Sequence, residues 1–202
     1  MIIVGITGGI GSGKSIVCTI FNKLGIPVYN ADESAKNAYE KYPELISRIR
    51  DEISAEAIDK NGKVIRKILA EIIFADQSKL DLLNAMVHPV VAFDFENWME
   101  THRGFPYIIK EAAILFESNT AQQCNKIITV VSPLELRVSR LKARDKRTRL
   151  EIDQVISRQL SDEEKIAKSD FVIYNDEKQM LIPQVLKIHE ALLKFVPTRI
   201  SE

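Results

Sequence analysis

A glycine-rich octet near the N-terminus, residues 8–15 with the sequence GGIGSGKS, constrains this chain more than any other stretch. The apolar residues 2–6 precede it, and apolar residues at three- and four-residue spacings follow it, as on one buried face of a helix. This order predicts a strand, a glycine turn and a helix. It matches the pattern Gly-x-x-x-x-Gly-Lys-Ser/Thr, whose glycines let backbone N–H groups surround a phosphate beside a helix N-terminus. An ordinary glycine turn between a strand and a helix is the simpler alternative.

The polar groups of this phosphate loop have individual candidate roles. Lys14 is predicted to reach the β- and γ-phosphates of a nucleotide, and the hydroxyl of Ser15 is predicted to hold Mg²⁺. The candidate nucleotide-binding residues of the loop and its helix are Gly9, Gly11, Ser12, Gly13, Lys14, Ser15 and Ile16.

Length and charge exclude some classes of protein. The 202 residues suffice for one domain with an inserted subdomain. Lys plus Arg and Asp plus Glu are equal at 28 each, so net charge gives no reason to expect nucleic acid or a membrane as partner. Cys18 and Cys124 are far apart and are predicted to be reduced side chains of a cytoplasmic protein. The N-terminal apolar run has no basic leader and is expected to be a core strand.

Short apolar runs predict further strands that alternate with helices. They lie at residues 26–29, 107–109, 126–131 and 170–174, and a last helix is predicted with Pro183 in its first turn. Alternation with short loops predicts an α/β fold, a three-layer αβα P-loop kinase fold with about five parallel strands.

A charged helical pattern interrupts this alternation and predicts the domain organisation. Residues 33–103 are predicted to form a helical insertion for a second substrate, broken at Pro43, at residues 60–63 and at His88-Pro89. The nucleotide-binding core is then residues 1–32 and 104–202. Within it, residues 134–168 are predicted to form a helical lid.

Asp32 follows the second predicted strand. Ligands of open parallel sheets bind outside the carboxyl ends of the strands, so Asp32 is expected near whatever Lys14 holds. The alternative is that Asp32 caps the helix that begins at Glu33, and one aspartate can do both.

The lid segment has a concentration of positive charge. Its cations between positions 137 and 149 are Arg137, Arg140, Lys142, Arg144, Lys146, Arg147 and Arg149. Arg140 and Arg144 are four residues apart on one helix face, so both could bind a polyphosphate. A solvated helix face is the simpler interpretation for Arg137, Lys142, Lys146 and Arg147. Arg149 could face either phosphate or solvent.

Three classes of phosphate-loop protein remain open on these patterns. A GTP-driven switch needs an Asn/Thr-Lys-x-Asp motif after a strand, whereas residues 167–170 read AKSD and precede one. A motor ATPase needs an apolar run into an acidic residue, and residues 108–111, IIKE, match this poorly. A small-molecule kinase needs the loop, an acceptor-side carboxylate and an arginine-bearing lid that excludes water, and this sequence has candidates for all three.

A set of motifs resembles the dephospho-CoA kinases in order and spacing. They are TGGIGSGKS at 7–15, LGIPV at 24–28 with NAD at 30–32, VHP at 87–89, ILFE at 114–117, the arginines of 140–149 and DFVIYN at 170–175. The family often has Asp, Thr and Pro where this chain has Asn30, Ile16 and Ala113. None of these differences removes a group that the chemistry requires, and Ala113 bears only on the backbone beside Glu117.

The resemblance implies phosphorylation of the ribose 3′-hydroxyl of dephospho-CoA by ATP and Mg²⁺. It implies that Asp32 is the base and that Lys14, Arg140 and Arg144 stabilise the transferring group. His88 would contact the acceptor or form a structural turn, Glu117 would organise the acceptor or the Mg²⁺ water shell or be solvated, and Asn175 would lie near adenine. The aromatic residues of the insertion could hold the pantetheine arm, although core packing is the simpler expectation for each of them: Tyr39, Phe74, Phe93 and Trp98. Another small acceptor, or a switch without an acceptor, remains the alternative.

Overall fold

The computed structural model of the chain describes residues 1–146 and 148–195. Arg147, predicted above to be solvated, lies outside the described residues. The chain forms two compact units, which we call the core unit, Met1–Asn30 with His102–Glu202, and the helical unit, Ala31–Thr101. Among the described residues, no helix combines the length and the hydropathy that crossing a membrane requires.

The core unit is built on a parallel sheet whose described strands have the order β2-β3-β1-β4-β5. The strands are β1 Ile2–Thr7, β2 Val28–Asn30, β3 Tyr107–Glu111, β4 Lys126–Val131 and β5 Phe171–Tyr174. β1 lies in the middle, with Ile6 opposite Glu111 of β3 and Ile128 of β4. The predicted α/β fold with about five parallel strands is confirmed, and the strand order brings the ends of β1, β3 and β4 to one edge.

Helices α1 (Lys14–Lys23) and α9 (Leu181–Phe195) share one apolar core with the sheet. Phe21 of α1 packs edge-on against Tyr107 of β3. The Tyr107 hydroxyl lies 2.5 Å from Nδ1 of His189, so its buried polar group has a partner on α9. Pro183 is the third residue of α9, so its predicted place in the first turn is confirmed.

Three helices follow β4 within the predicted lid segment: α6 Leu134–Asp145, α7 Arg149–Ile156 and α8 Asp162–Ala167. α7 and α8 each begin with a capping box, in which a hydroxyl of Thr148 or Ser161 accepts from the third helical N–H. Val138, Leu141 and Ile152 are the buried residues between α6 and α7.

The described α-helices of the helical unit are α2 Ala31–Lys41, α3 Pro43–Arg48, α4 Arg66–Ala75 and α5 Gln77–Glu100. A π-helix, Ile49–Ile53, and a 3-10 helix, Ala55–Ala57, lie between α3 and α4. The predicted break at Pro43 is confirmed, because α3 begins there. Residues 60–63 form a turn between Ile58 and Val64, which pair as an isolated bridge. The predicted break at His88-Pro89 is wrong, because α5 continues through Pro89. Met86 and Val87 are buried just before it, and this packing offsets the roughly 3 kcal/mol that an internal proline costs a helix.

One buried carboxylate joins α5 to the helices before it. Asp94 accepts hydrogen bonds from Lys41 Nζ at 2.5 Å, from the Tyr42 hydroxyl at 2.7 Å and from Ser34 Oγ at 3.3 Å. Burial acts to raise the pKa of Asp94, but the bonds from Lys41 and Tyr42 outweigh it and leave this pKa below its ordinary value.

Candidate active site

The phosphate loop joins the end of β1 to the start of α1 through residues in left-handed conformations. Gly11 has φ 80° and Gly13 has φ 95°, and Gly13 is the N-cap of α1. A Cβ atom on Gly13 would lie 2.1 Å from Nδ2 of Asn175. Glycine is therefore required at position 13 both for its conformation and for the close approach of a neighbouring side chain.

Lys14 lies across this loop. The residue is buried, and its Nζ donates a hydrogen bond of 3.0 Å to the carbonyl oxygen of Gly8. Ser15 and Ile16 follow in the first turn of α1 and are exposed. The loop thus has a cation over its backbone and an accessible hydroxyl at the helix N-terminus, which are the groups predicted to bind phosphates and Mg²⁺.

The interior of the loop also has a polar atom that the described protein groups do not satisfy. Ser12 is 1% exposed, and its Oγ has no hydrogen-bond partner within the described residues. A Cβ atom on Gly8 would lie 2.8 Å from this Oγ. A buried hydroxyl without a partner costs free energy, so a ligand with oxygen acceptors, such as a polyphosphate, fits the loop.

Asn175 supports the loop from the end of β5. Its Nδ2 donates to the carbonyl oxygen of Ser12 at 2.8 Å, and the residue is buried. The sequence did not predict this contact. The proposed nearness of Asn175 to adenine stays a prediction.

Arg137 is buried rather than solvated, so this prediction is wrong. Its Nε donates to the carbonyl oxygen of Ile10 at 2.9 Å, and one terminal nitrogen lies 3.2 Å from Asp162. The charge run concealed the difference because Arg137 is one of several cations close together in the sequence. Val138 and Leu141 of α6 are buried, and this apolar flank was the available signal that Arg137 turns inward.

The structure does not place Arg140 and Arg144 on a shared partner. Arg140 donates to Ser132 Oγ at 3.0 Å and to Glu177 at 3.1 Å. Arg144 pairs with its neighbour Asp145 at 2.6 Å and is largely exposed. Their joint action on phosphates stays a prediction.

Arg149 begins α7 and is exposed. It pairs with Asp153 at 2.9 Å and with Glu135 at 3.5 Å. Its partners are thus surface carboxylates, and whether Arg149 also faces phosphate stays a prediction.

Glu117 is partly buried and paired, so its interpretation as a solvated carboxylate is wrong. Its Oε1 accepts from the N–H of Leu160 at 2.8 Å and lies 3.1 Å from Nζ of Lys165, which is fully buried. Lys165 also donates to the carbonyl oxygen of Ala113 at 3.2 Å. These contacts hold the segment after β3 against α8, and this pairing could not be found from the sequence because 47 residues separate the partners.

Glu111 is a second buried carboxylate, at the end of β3 and beside the strand that leads into the loop. The Nδ2 of Asn30 donates to it at 2.6 Å. Burial raises the pKa of the Cys18 thiol, the charge of Glu111 raises this pKa further, and the charge of Lys14 acts to lower it. Glu111 was not predicted as a site residue because Lys110 interrupts the apolar run that precedes it. Lys110 is itself buried and donates to Gln123 at 2.6 Å.

Other candidates belong to the helical unit. Asp32 lies in the first turn of α2, which begins at Ala31, so the alternative that Asp32 is the N-cap is wrong. β2 ends at Asn30 and the helix starts directly after it. His88 is exposed on α5, and partial burial of its ring lowers its pKa. Whether Asp32 and His88 approach the phosphate loop stays a prediction.

Two aromatic residues of the helical unit do not pack in its core. Phe74 is 48% exposed and Phe93 is 55% exposed, so the expectation of core packing is wrong for both. Contact of either ring with a pantetheine arm stays a prediction.

Comparison with known proteins shows the family. The sequence matches the family model for dephospho-CoA kinase over residues 2–180. A dephospho-CoA kinase of Bacteroides fragilis is 39% identical over 185 residues, covering 92% of this chain and 90% of that protein. A dephospho-CoA kinase of Fusobacterium nucleatum is 40% identical over 179 residues, covering 87% of this chain and 90% of that protein.

Solved structures agree with this assignment. A crystal structure from Thermus thermophilus has a TM-score of 0.82 at 33% identity, covering 94% of this chain and 96% of that one. The dephospho-CoA kinase of Campylobacter jejuni has a TM-score of 0.68 at 28% identity, covering 95% and 97%. A shikimate kinase of Acinetobacter baumannii, at 14% identity and a TM-score of 0.53, shares the fold. With this fold, this phosphate loop and a match over most of its length, the chain belongs to the dephospho-CoA kinase family.

Proposed function

We propose that this kinase transfers the γ-phosphoryl group of ATP to the ribose 3′-hydroxyl of dephospho-CoA, with Mg²⁺, to give CoA and ADP. This is the last step of coenzyme A synthesis. The observation that carries the proposal is the phosphate loop, with buried Lys14 across it and an unsatisfied buried hydroxyl inside it, in a chain of this family. Free thiols at Cys18 and Cys124 favour the cytoplasm as its location.

The donor side consists of backbone N–H groups and Lys14. The amide of Ile10 donates to Gln159 at 2.8 Å and that of Ser12 donates to the Gly9 carbonyl oxygen at 3.1 Å. Within the range from Gly11 to Ser15, the phosphates would therefore be held by the amides of Gly11, Gly13, Lys14 and Ser15. Lys14 would exchange its bond to Gly8 for the β- and γ-phosphates. The Ser12 hydroxyl would then gain the acceptor that it lacks among the described residues.

Two residues suit the metal. The Ser15 hydroxyl would hold Mg²⁺, and the Glu111 carboxylate would accept hydrogen bonds from its water shell. Glu117, whose Oε1 lies 3.1 Å from Nζ of the buried Lys165, is the alternative for this role. When bound, Mg²⁺ neutralises charge on the β- and γ-oxygens.

On the acceptor side, Asp32 would accept the hydrogen bond of the ribose 3′-hydroxyl and take its proton. Arg140 and Arg144 would stabilise the charge of the transferring group from α6. Phosphoryl transfer passes through a loose transition state, so these groups act mainly by positioning and by electrostatic stabilisation. His88 and the exposed aromatic residues would contact the remainder of the acceptor.

The test is ADP release from ATP and Mg²⁺, measured without an acceptor and with dephospho-CoA, AMP, CMP or gluconate. We expect release above background only with dephospho-CoA, and CoA as the product by mass spectrometry. Release with another acceptor would assign the kinase to that substrate. Slow release that is independent of any acceptor would contradict the proposal and favour a switch or an ATPase.

A further inference from the structure

Ile10, at the tip of the phosphate loop, is held in three ways by the segments that follow β4. Its N–H donates to Oε1 of Gln159 at 2.8 Å. Its carbonyl oxygen accepts from Nε of Arg137 at 2.9 Å. Its side chain packs against the apolar cluster that α6 and α7 bury between them. We call this arrangement the Ile10 clamp, consisting of Ile10, Arg137 and Gln159.

The clamp brings the loop and α6 into direct contact. A Cβ atom on Gly9 would lie 2.2 Å from a terminal nitrogen of Arg137, and one on Gly11 would lie 3.0 Å from the Arg137 carbonyl oxygen. Leu141, one turn further along α6, would be 3.1 Å from the same Gly11 Cβ. The glycines at positions 9 and 11 therefore have a second purpose, because they let a helix lie against the loop.

The clamp residues are themselves fixed on their far sides. Arg137 is 6% exposed and pairs with Asp162, in the first turn of α8, at 3.2 Å. The Nε2 of Gln159 donates to the carbonyl oxygen of Ala113 at 3.4 Å. These second contacts hold the side chains of Arg137 and Gln159 in one orientation. A side chain can position the loop backbone only if its own orientation is fixed.

Stability alone does not account for an arginine at this place. Removing a guanidinium from water is costly, and a well-packed apolar residue of similar volume often stabilises a protein as much as a buried ion pair. An apolar residue could not donate to the Ile10 carbonyl. What Arg137 adds is a charged, directional hydrogen bond to the loop backbone.

α6 also carries the predicted lid arginines. Arg140 and Arg144 lie three and seven residues beyond Arg137 on the same helix. The helix that fixes the loop thus also carries the groups proposed to act on the γ-phosphate.

We propose that Arg137 and Gln159 are positioning residues, which fix the phosphate loop at Ile10 to the segments that follow β4, so that bound triphosphate and the arginines of α6 keep a fixed relative position. The inference rests on the proposed function in so far as the triphosphate is that of ATP. It assigns no contact with substrate to either residue.

The test compares Arg137→Met and Gln159→Leu with Lys142→Met, which removes an exposed cation from the same helix. Hydrogen exchange of the loop amides is measured by mass spectrometry without nucleotide, and the KM values for ATP and dephospho-CoA are measured separately. We expect faster loop exchange and a KM for ATP raised about tenfold to hundredfold in the two clamp variants, as for loss of a charged or buried hydrogen bond. The KM for dephospho-CoA should stay within about twofold of the unmodified enzyme, since the acceptor side is unchanged.

Arg137→Lys supplies the rescue. Lysine keeps one donor for Ile10 but lacks the second nitrogen, through which Arg137 contacts Asp162, so it should recover part of the ATP affinity. Lys142→Met should match the unmodified enzyme in both measurements. Normal loop exchange with a normal KM for ATP in both clamp variants would overturn the inference, as would equal rises in both KM values.

Loop exchange and calorimetric binding of ATP with Mg²⁺ need no acceptor. They therefore test the clamp even if dephospho-CoA is not phosphorylated, so failure of the clamp and failure of the proposed function can be told apart. Should Arg137→Met not fold, Gln159→Leu and Arg137→Lys give the same readouts, and unchanged loop exchange in both would overturn the inference.

Discussion

The two units differ in what they bury. In the described residues, every buried polar or charged residue except Asp94 belongs to the core unit. Several of these, including Ser12, Lys14, Arg137 and Asn175, belong to the phosphate loop or contact its backbone. The interior of the helical unit consists almost entirely of aliphatic side chains.

This difference shows where the fold accepts an energetic cost. A buried charge is costly unless it is paired, and an aliphatic core has no such cost. The core unit accepts it because a preorganised site needs fixed dipoles and charges. Within its described residues the helical unit buries one charged group, Asp94, whose partners are Lys41, Tyr42 and Ser34. Its proposed contribution to the chemistry rests instead on Asp32, a residue that is not buried.

We expect the largest effect on turnover from a substitution in the helical unit, although this unit buries less charge than the core unit. Asp32→Asn should leave the fold and ATP binding intact but lower turnover about 10²- to 10⁴-fold, the usual contribution of a general base. Turnover with dephospho-CoA and calorimetric ATP binding measure the two properties. Near-normal turnover would remove Asp32 from the mechanism.

The next effect concerns stability in the core unit. Lys165→Met leaves the partly buried Glu117 without its cation, and we expect the free energy of unfolding to fall by about 3 kcal/mol, as when one partner of a buried pair is removed. Adding Glu117→Gln should restore part of it. Urea unfolding is the measurement, and exposed Lys187→Met is the control. A loss no larger than the control's would show that polar burial near the site is not costly.

A smaller effect is expected from the arginines of α6. Arg140→Met and Arg144→Met should each lower turnover about tenfold to hundredfold if each loses one charge-assisted contact with the transferring group. Arg144 is itself largely exposed and pairs with its chain neighbour Asp145, so its loss should change the free energy of unfolding by less than about 0.5 kcal/mol. Turnover and urea unfolding, compared with Lys142→Met, separate the two effects. Unchanged turnover in both variants would contradict a lid role for α6.

The smallest effect tests the one buried carboxylate of the helical unit. The folded state lowers the pKa of Asp94, so its ionised form stabilises the unit above the ordinary pKa, and this contribution is lost as pH falls through the lowered value. Asp94→Asn should destabilise by about 1 kcal/mol at pH 7, because Lys41 is mostly exposed. The difference should shrink towards pH 3. Urea unfolding at both values measures this, and a difference that grows on acidification would contradict the assignment.

Some features of the fold could be predicted because their signals are local. The strand, glycine turn and helix around Lys14 occupy adjacent positions, and β4 is a continuous apolar run whose observed bounds, Lys126–Val131, match the prediction. The helix break predicted at His88-Pro89 is wrong because its outcome depended on non-local packing. Proline predicts a helix end from local sterics, but α5 packs on both sides of it and continues.

Part of the candidate site could not be predicted because its contacts are long-range. Arg137 looks like its charged neighbours in the sequence, and only the approach of Ile10, from 127 residues earlier, makes it a buried donor. Glu111 was undervalued because Lys110 precedes it, and the pairing of β3 with β1 places it beside the loop.

The sequence by itself determined the phosphate loop, the alternation of strands and helices, and the family, because each is written in residues that are adjacent or regularly spaced. Tertiary structure decided which charges are buried: Arg137 against Ile10, Lys165 against Glu117, and Glu111 at the end of β3. The physical reason is that a charged side chain enters the interior only where a distant part of the chain brings the partner that offsets its loss of water.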